Sequence, residues 1–295
     1  MSLTSRLTAF EENRARLLAL AYRMLGDLAR AEDMVQEAWL RWERQDDGEV
    51  VSPQAFLVTI VTRLCLNELD SARARREENR SDRLPEPIDL EVSGFDQVER
   101  LEQVSMAFLV ALQRLTPAER AVLLMHEVFE LSHHEISSAL GGTVEGSRKS
   151  LERARQSLAS ERRMLLTTAD EHRRILDAFV SAVRGGDMAG VVNMLADDAT
   201  IVTDGGVAGT SIRGQRNLSE PLHGASRVAA FVVAATARAT GAVRFERHEL
   251  NGQPGLVLWT DDRPLAAILL GVVDGKVARI YFHGDERRLR HIGAM

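Results

Sequence analysis

Leu17, Leu20, Ala21, Met24, Leu25 and Leu28 recur at steps of three and four, the spacing of one face of an α-helix. The Gly26-Asp27 step closes that stretch, and a second helix starts near Ala29. In this second helix Val35, Trp39 and Trp42 form an apolar stripe, with Asp33, Gln36, Glu37 and Arg41 lying off it. Pro53 suits the first turn of a third helix, Gln54 to about Arg76, apolar at Phe56, Ile60 and Leu64 and basic at its end. Leu84-Pro85-Glu86-Pro87 cannot continue a helix and predicts extended backbone inside an acidic linker. Helical spacing resumes from Gln97 to Leu115. Thr116-Pro117-Ala118-Glu119 and Ser132-His133-His134-Glu135 then each carry the cap and third-position glutamate of a capping box. Gly141-Gly142 and the cap Thr143 lead into a basic helix from Val144 to about Ser160, which completes a helix-turn-helix.

Beyond Ala169 the period changes. Ile175, Phe179 and Val183 mark one helix and Met188 to Leu195 another; strand-like stretches then begin at Ala199 to Thr203. Gly255 to Trp259 and Leu265 to Val273 read as paired strands, and Val273-Asp274-Gly275-Lys276-Val277 as a hairpin turn. Helices followed by several antiparallel strands predict an α+β domain in which a curved sheet wraps a helix. The chain thus divides into residues 1–80, a linker at 81–96, a helix-turn-helix region at 97–168 and the α+β domain at 169–295.

Composition sharpens this picture. The net charge of −6 argues against a polyanion binder taken whole, but the charges are segregated. Of the 37 basic residues only Lys149 and Lys276 are lysine, and the arginines cluster at 73–76, 148–155 and 162–163. Acid gathers at Glu32-Asp33, Asp46-Asp47 and Asp82 to Glu91. Separate basic and acidic faces suit a protein that holds nucleic acid on one side and a protein on another. No apolar stretch is long enough to span a membrane and Met1 to Phe10 lacks a signal-peptide core, so a cytoplasmic protein is expected. The lone Cys65, set among Ile60, Val61, Leu64 and Leu66, suits a small core residue and excludes an intramolecular disulfide framework. The adjacent His133 and His134 splay apart on a helix, so no metal site is expected, and no cofactor.

The helical part, about Phe10 to Leu158, resembles the extracytoplasmic-function sigma factors of bacterial RNA polymerase, which keep sigma regions 2 and 4. Ala31-Glu32-Asp33-Met34-Val35-Gln36-Glu37-Ala38-Trp39-Leu40 is similar to the region 2 helix that docks on the largest polymerase subunit. The resemblance implies core-polymerase contacts at Asp33, Gln36 and Glu37. Phe56 to Arg76 is similar to the helix that opens and reads the minus-ten promoter element, implicating Arg63, Arg73, Arg75 and Arg76. Glu135 to Arg155 resembles region 4, whose last helix reads the minus-thirty-five element, implicating Ser147, Arg148, Lys149, Arg153 and Arg155. The remainder resembles the SnoaL-like, ketosteroid-isomerase-type cone fold, which a subgroup of the family carries as a permanent C-terminal extension. Leu84-Pro85-Glu86-Pro87 is similar to that subgroup's linker motif and Asp204-Gly205-Gly206 to the first half of a motif in its extension, although Arg83, Val207 and Ala208 depart from the usual residues, and both segments are expected to make regulatory contacts.

The expected partners are core polymerase and promoter DNA, with an unidentified small molecule in the cone as a further candidate. Asp204, Glu220, His223 and Asp261 are acid/base groups, but no spacing pairs them for catalysis, and a non-enzymatic protein is expected. Two other readings stay open at this point: a helix-turn-helix regulator acting without polymerase, and a ligand-sensing or enzymatic cone fused to a DNA-binding module.

Overall fold

The computed structural model describes residues 3–45, 50, 52–71, 84–89, 105–159, 164, 167–204, 218, 220–238 and 243–293. They divide into two compact units. One comprises residues 1–80, 97–99 and 109–160, and the other 81–96, 100–108 and 161–295.

The first unit is helical. Helices α1 (Leu3–Leu25), α2 (Leu28–Glu43) and α3 (Pro53–Asp70) pack on one another. Asp27 caps α2 through Arg30 N, and Ser52 caps α3 with Pro53 in its first turn. Helix α4 (Met106–Gln113) leads to α5 (Pro117–Glu127), α6 (His133–Leu140) and α7 (Val144–Leu158). Both predicted capping boxes form. The Thr116 hydroxyl accepts from Glu119 N at 3.3 Å while Thr116 N donates to Glu119 Oε2 at 3.2 Å, and Ser132 and Glu135 repeat the exchange. Gly141 ends α6 at φ +73°, a conformation glycine adopts without a Cβ clash. The buried face of α3 differs from the expected Phe56, Ile60 and Leu64 stripe. Leu57, Val58, Val61, Leu64 and Cys65 are buried, while Phe56 and Ile60 sit at the margin, because α1 and α2 both cover this helix and the apolar arc is wider than one stripe.

The second unit is α+β. Helices α8 (Ala169–Arg184), α9 (Met188–Met194) and α10 (Ala225–Arg238) accompany strands β1 (Leu195–Asp204), β2 (Leu222–His223), β3 (Arg244–Leu250), β4 (Gln253–Thr260), β5 (Arg263–Val273) and β6 (Lys276–His283). The sheet order is β2-β1-β6-β5-β4-β3. The expected β4–β5 pair is present, and the β5–β6 hairpin turns through Asp274 and Gly275 at φ +50° and +75°. One expectation is corrected: β1 runs parallel to β6, so the sheet is mixed, because the long path through α10 and β3 to β5 returns the last strand alongside the first. Leu176, Phe179, Val191, Ala199, Ile201, Val228, Leu270 and Ile280 lie within one buried cluster joining helices to sheet.

Candidate polymerase and promoter interface

Helix α2 has two chemically distinct sides. Ala31, Val35, Ala38 and Trp42 are buried, and Trp42 Nε1 donates to Arg6 O at 3.0 Å. Trp39 is half-buried, tilted against Phe10 with ring centroids 5.1 Å apart. On the other side Asp33 and Gln36 are exposed, and Glu37 accepts from Arg41 one turn on at 2.9 Å. A groove of about 530 Å³ runs beside this side between α1 and α2, lined by Leu7, Phe10, Glu32, Gln36, Trp39 and Leu40 among others. Leu7 and Leu40 are 45% and 41% exposed, an apolar pair beside carboxylates. Asp33, Gln36 and Glu37 therefore share one accessible surface.

Of the four arginines expected at the minus-ten element, only Arg63 falls within the described residues; Arg73, Arg75 and Arg76 lie outside them. Arg63 is exposed on α3, and its Nε donates to Ala139 O of α6 at 2.6 Å. That acceptor is one of the carbonyls left over at a helix C-terminus.

Helix α7 buries Ser147, Leu151, Ala154 and Leu158 against α5 and α6. Arg148, Lys149, Arg153 and Arg155 are exposed, but Ser147, expected at the groove-facing surface, turns inward. Its hydroxyl lies 2.9 Å from His133 Nδ1, and His133 stacks on His126 at 4.7 Å. The i, i+4, i+7, i+11 spacing of Ser147, Leu151, Ala154 and Leu158 carries this inward stripe, and the small hydroxyl hides within it. Burial pushes the His133 imidazole below its ordinary pKa, with the His126, Arg148 and Arg155 charges adding to the effect. The basic residues differ in company. Arg153 Nε donates to Glu119 at 2.7 Å, Arg155 Nε donates to Glu127 at 2.9 Å, and Lys149 pairs with Glu145 at 2.9 Å. The Arg153 hydrogen bond holds the Glu119 carboxyl below the usual carboxylate range.

In the second unit, residues 84–89 lie as an extended strap that sequence reasoning assigned to a linker. All six are buried. Asp89 bridges to Leu250 in antiparallel fashion, Asn251 N donates to Ile88 O at 2.9 Å, and Ile88 N donates to Asn251 Oδ1 at 3.2 Å. His248 Nδ1 stands 3.1 Å from Asp89 Oδ2, and His291 Nε2 stands 3.7 Å from Glu86. Arg288, on a single 3₁₀ turn at Glu286–Arg288, donates to Leu84 O at 2.5 Å and is paired with Asp204 at the end of β1. Asp204 thus meets an arginine near the chain end; Gly205 and Gly206 lie outside the described residues. Sequence reasoning missed Arg288, His248 and Asn251, although Asn251-Gly252 is a recognisable hairpin signal.

Among the described residues no cluster of three or more histidine, cysteine, aspartate or glutamate side chains could hold a metal ion, and no helix is long and apolar enough to cross a membrane. Cys65 is buried, and burial raises its thiol to about 12. His283, fully enclosed, is held well below its ordinary pKa by burial, with the Arg288 charge adding to it.

Comparison with known proteins gives these surfaces a context. Residues 9–75 match the family model of sigma-70 region 2, and residues 105–158 match that of sigma-70 region 4. The chain is 35% identical over 218 residues to the ECF RNA polymerase sigma factor SigJ of Mycobacterium tuberculosis, covering 71% of this chain and 69% of that one. It is 32% identical over 277 residues to the probable ECF RNA polymerase sigma factor SigI of the same species, covering 92% and 91%. The crystal structure of the M. tuberculosis extracytoplasmic function sigma factor SigJ superposes with a TM-score of 0.73 at 26% identity, covering 97% of this chain and 98% of that one. The match therefore includes the C-terminal α+β domain as well as the helical part. With both promoter-recognition regions in order ahead of a SnoaL-like extension, this chain is a transcription initiation factor rather than an enzyme, and it belongs to the extracytoplasmic-function RNA polymerase sigma factors.

Proposed function

We propose that the chain works in the cytoplasm and docks on core RNA polymerase through Asp33, Gln36 and Glu37. The observation that carries this reading is the division of α2: one side is consumed by the core at Ala31, Val35, Ala38 and Trp42, and the other offers carboxylate and amide groups to a partner. Arg63, with Arg73, Arg75 and Arg76, anchors the minus-ten strand, where guanidinium forks hold phosphates while bases unstack. Arg148 and Lys149, with Arg153 and Arg155, serve the minus-thirty-five element. Ser147 supports α7 from inside rather than touching bases, in keeping with its burial. Asp33→Arg with Glu37→Arg is expected to abolish copurification with core polymerase at unchanged helicity. Undiminished copurification refutes the assignment.

The same proposal gives the C-terminal domain a controlling role exerted through the strap. Support comes from both strap carboxylates, Glu86 and Asp89, which lie buried beside histidines of the domain, and from Arg288, which joins Leu84 to Asp204. Glu86→Gln with Asp89→Asn is expected to change run-off transcript yield at saturating promoter, and an unchanged yield refutes control through the strap.

A further inference from the structure

His126 lies in the last turn of α5 and His133 opens α6, and the turn between the two helices brings them together. Their rings stack with centroids 4.7 Å apart and planes 13° from parallel. Each ring is anchored through Nδ1. That of His126 lies 2.9 Å from the Leu131 carbonyl, which can only accept, so Nδ1 carries the hydrogen and neutral His126 keeps its lone pair on Nε2. That of His133 lies 2.9 Å from the hydroxyl of Ser147, the small residue α7 turns inward. Neither Nε2 has a hydrogen-bond partner among the described residues, and both rings are only half-buried.

The surface around the stack is basic. Arg148 and Arg155 of α7 both act on His133. Arg155 is paired with Glu127 of α5, and Glu135 of α6 is turned back onto the Ser132 cap. Arg148 differs from Lys149, Arg153 and Arg155 in having no carboxylate partner among the described residues. An uncompensated guanidinium beside two anchored imidazoles suits an oxyanion, and on a helix-turn-helix surface the oxyanion at hand is a DNA phosphate. A divalent cation fits worse, since both arginines repel it and the described residues bring no third ligand. We propose that Arg148 and the His126–His133 stack hold one promoter phosphate, and that the stack takes up a proton as it does so. In the free chain, burial and the His126, Arg148 and Arg155 charges keep the His133 imidazole below its ordinary pKa, hence neutral at neutral pH. A bound phosphate offsets those charges and favours the imidazolium. Two imidazolium rings 4.7 Å apart repel, so the stack takes one proton rather than two. The bound state then holds more protons than the free one, so affinity is flat at high pH and rises as pH falls toward about 6.5 and below.

This inference rests on the minus-thirty-five reading of α7, and its test separates the two. The full-length chain is titrated against a short fluorescein-labelled DNA duplex of random sequence, because phosphate contacts do not depend on sequence. Anisotropy at constant ionic strength gives the affinity. From about pH 8 to about pH 6 the wild-type chain is expected to bind about three- to tenfold more tightly. His133→Gln is expected to lose that response, while His134→Gln, altered at the exposed neighbouring ring, keeps it. Arg148→Ala weakens binding at both pH values. The wild-type salt-dependence slope is also expected to be steeper at the lower pH, by up to about one unit, which keeps the test decisive if His133→Gln does not fold. A pH-independent wild-type affinity and salt slope, or loss of the response in His134→Gln rather than His133→Gln, overturns the proposal. Failure of the minus-thirty-five reading looks different: Arg148→Ala and Arg153→Ala then leave duplex binding unchanged at both pH values.

Discussion

Arg153 and Arg288 each pair with a carboxylate, and water makes them different devices. The Arg153–Glu119 pair lies on the helix-turn-helix surface, with the arginine side chain 59% exposed, so solvent screens it and its net contribution is small. The Arg288–Asp204 pair is enclosed, at 7% and 5% exposure, and Arg288 also holds the Leu84 carbonyl. Removing one member there strands a charge in a low dielectric. The lesson is that a protein can place the same chemical pair where it is exchangeable and where it is structural. Glu119 and Glu127 of α5 each hold an arginine of α7, Arg153 and Arg155, in an exposed pair that solvent can exchange.

The largest effect expected to sharpen this contrast is at the enclosed pair. Asp204→Ala should destabilise the second unit by about 3–5 kcal/mol, seen as a lower thermal midpoint, whereas Asp204→Ala with Arg288→Met should recover much of that loss. Equal losses in the single and double variants would break the comparison.

Acid should act on the same unit. Burial holds His172 down to about 4, against about 6.5 in the unfolded chain, with a hydrogen bond that the imidazole donates to the Leu270 backbone carbonyl opposing the shift. The unfolded state then binds the extra proton first, so stability is present above about pH 6.5 and is lost as pH falls toward 4, by roughly 3 kcal/mol. His283, depressed by its burial, acts in the same direction. In urea titrations His172→Gln should flatten this acid limb, and an unchanged slope would remove His172 from the account.

A smaller effect is expected at the β5–β6 turn. Gly275 sits at φ +75°, and a Cβ added there would meet Glu171 Oε1 at 3.9 Å, an ordinary van der Waals contact, so Gly275→Ala costs about 1–2 kcal/mol through backbone strain. Smallest in stability terms is Arg153→Ala, at about 0–1 kcal/mol. In promoter binding it should weaken affinity and lower the salt-dependence slope by about one unit. A large stability loss without a change in slope would show that Arg153 is structural, like Arg288.

Much of this molecule was legible from local chemistry. Thr116/Glu119 and Ser132/Glu135 announced their helices because a capping box is a contact within four residues. Asp274-Gly275 announced its hairpin because a type I′ turn needs positive φ at both central positions. The unread features depend on distant partners. Strand β3, Arg244-Phe245-Glu246-Arg247-His248-Glu249-Leu250, carries too many charges to read as a strand, yet Glu246 pairs with Arg244 and His248 finds Asp89. The parallel β1–β6 pairing has no local signature. Among site residues, the exposed side of α2 followed from periodicity, while the inward turn of Ser147 depended on His133 and the burial of Glu86 and Asp89 on a sheet far along the chain.

That distance along the chain has a consequence during synthesis. Ile88 pairs with Asn251 across 163 residues, and Leu84 meets Arg288 across 204. At about 5–20 residues per second, a ribosome needs on the order of 10–40 s to deliver those partners after the strap has been made. Helices α1 to α3 have their mutual contacts at hand long before then. The nascent chain therefore completes its polymerase-facing part first and carries Leu84, Ile88 and two carboxylates uncovered until the last strands arrive. A stalled or prematurely terminated translation product would hold that strap in its unpaired form.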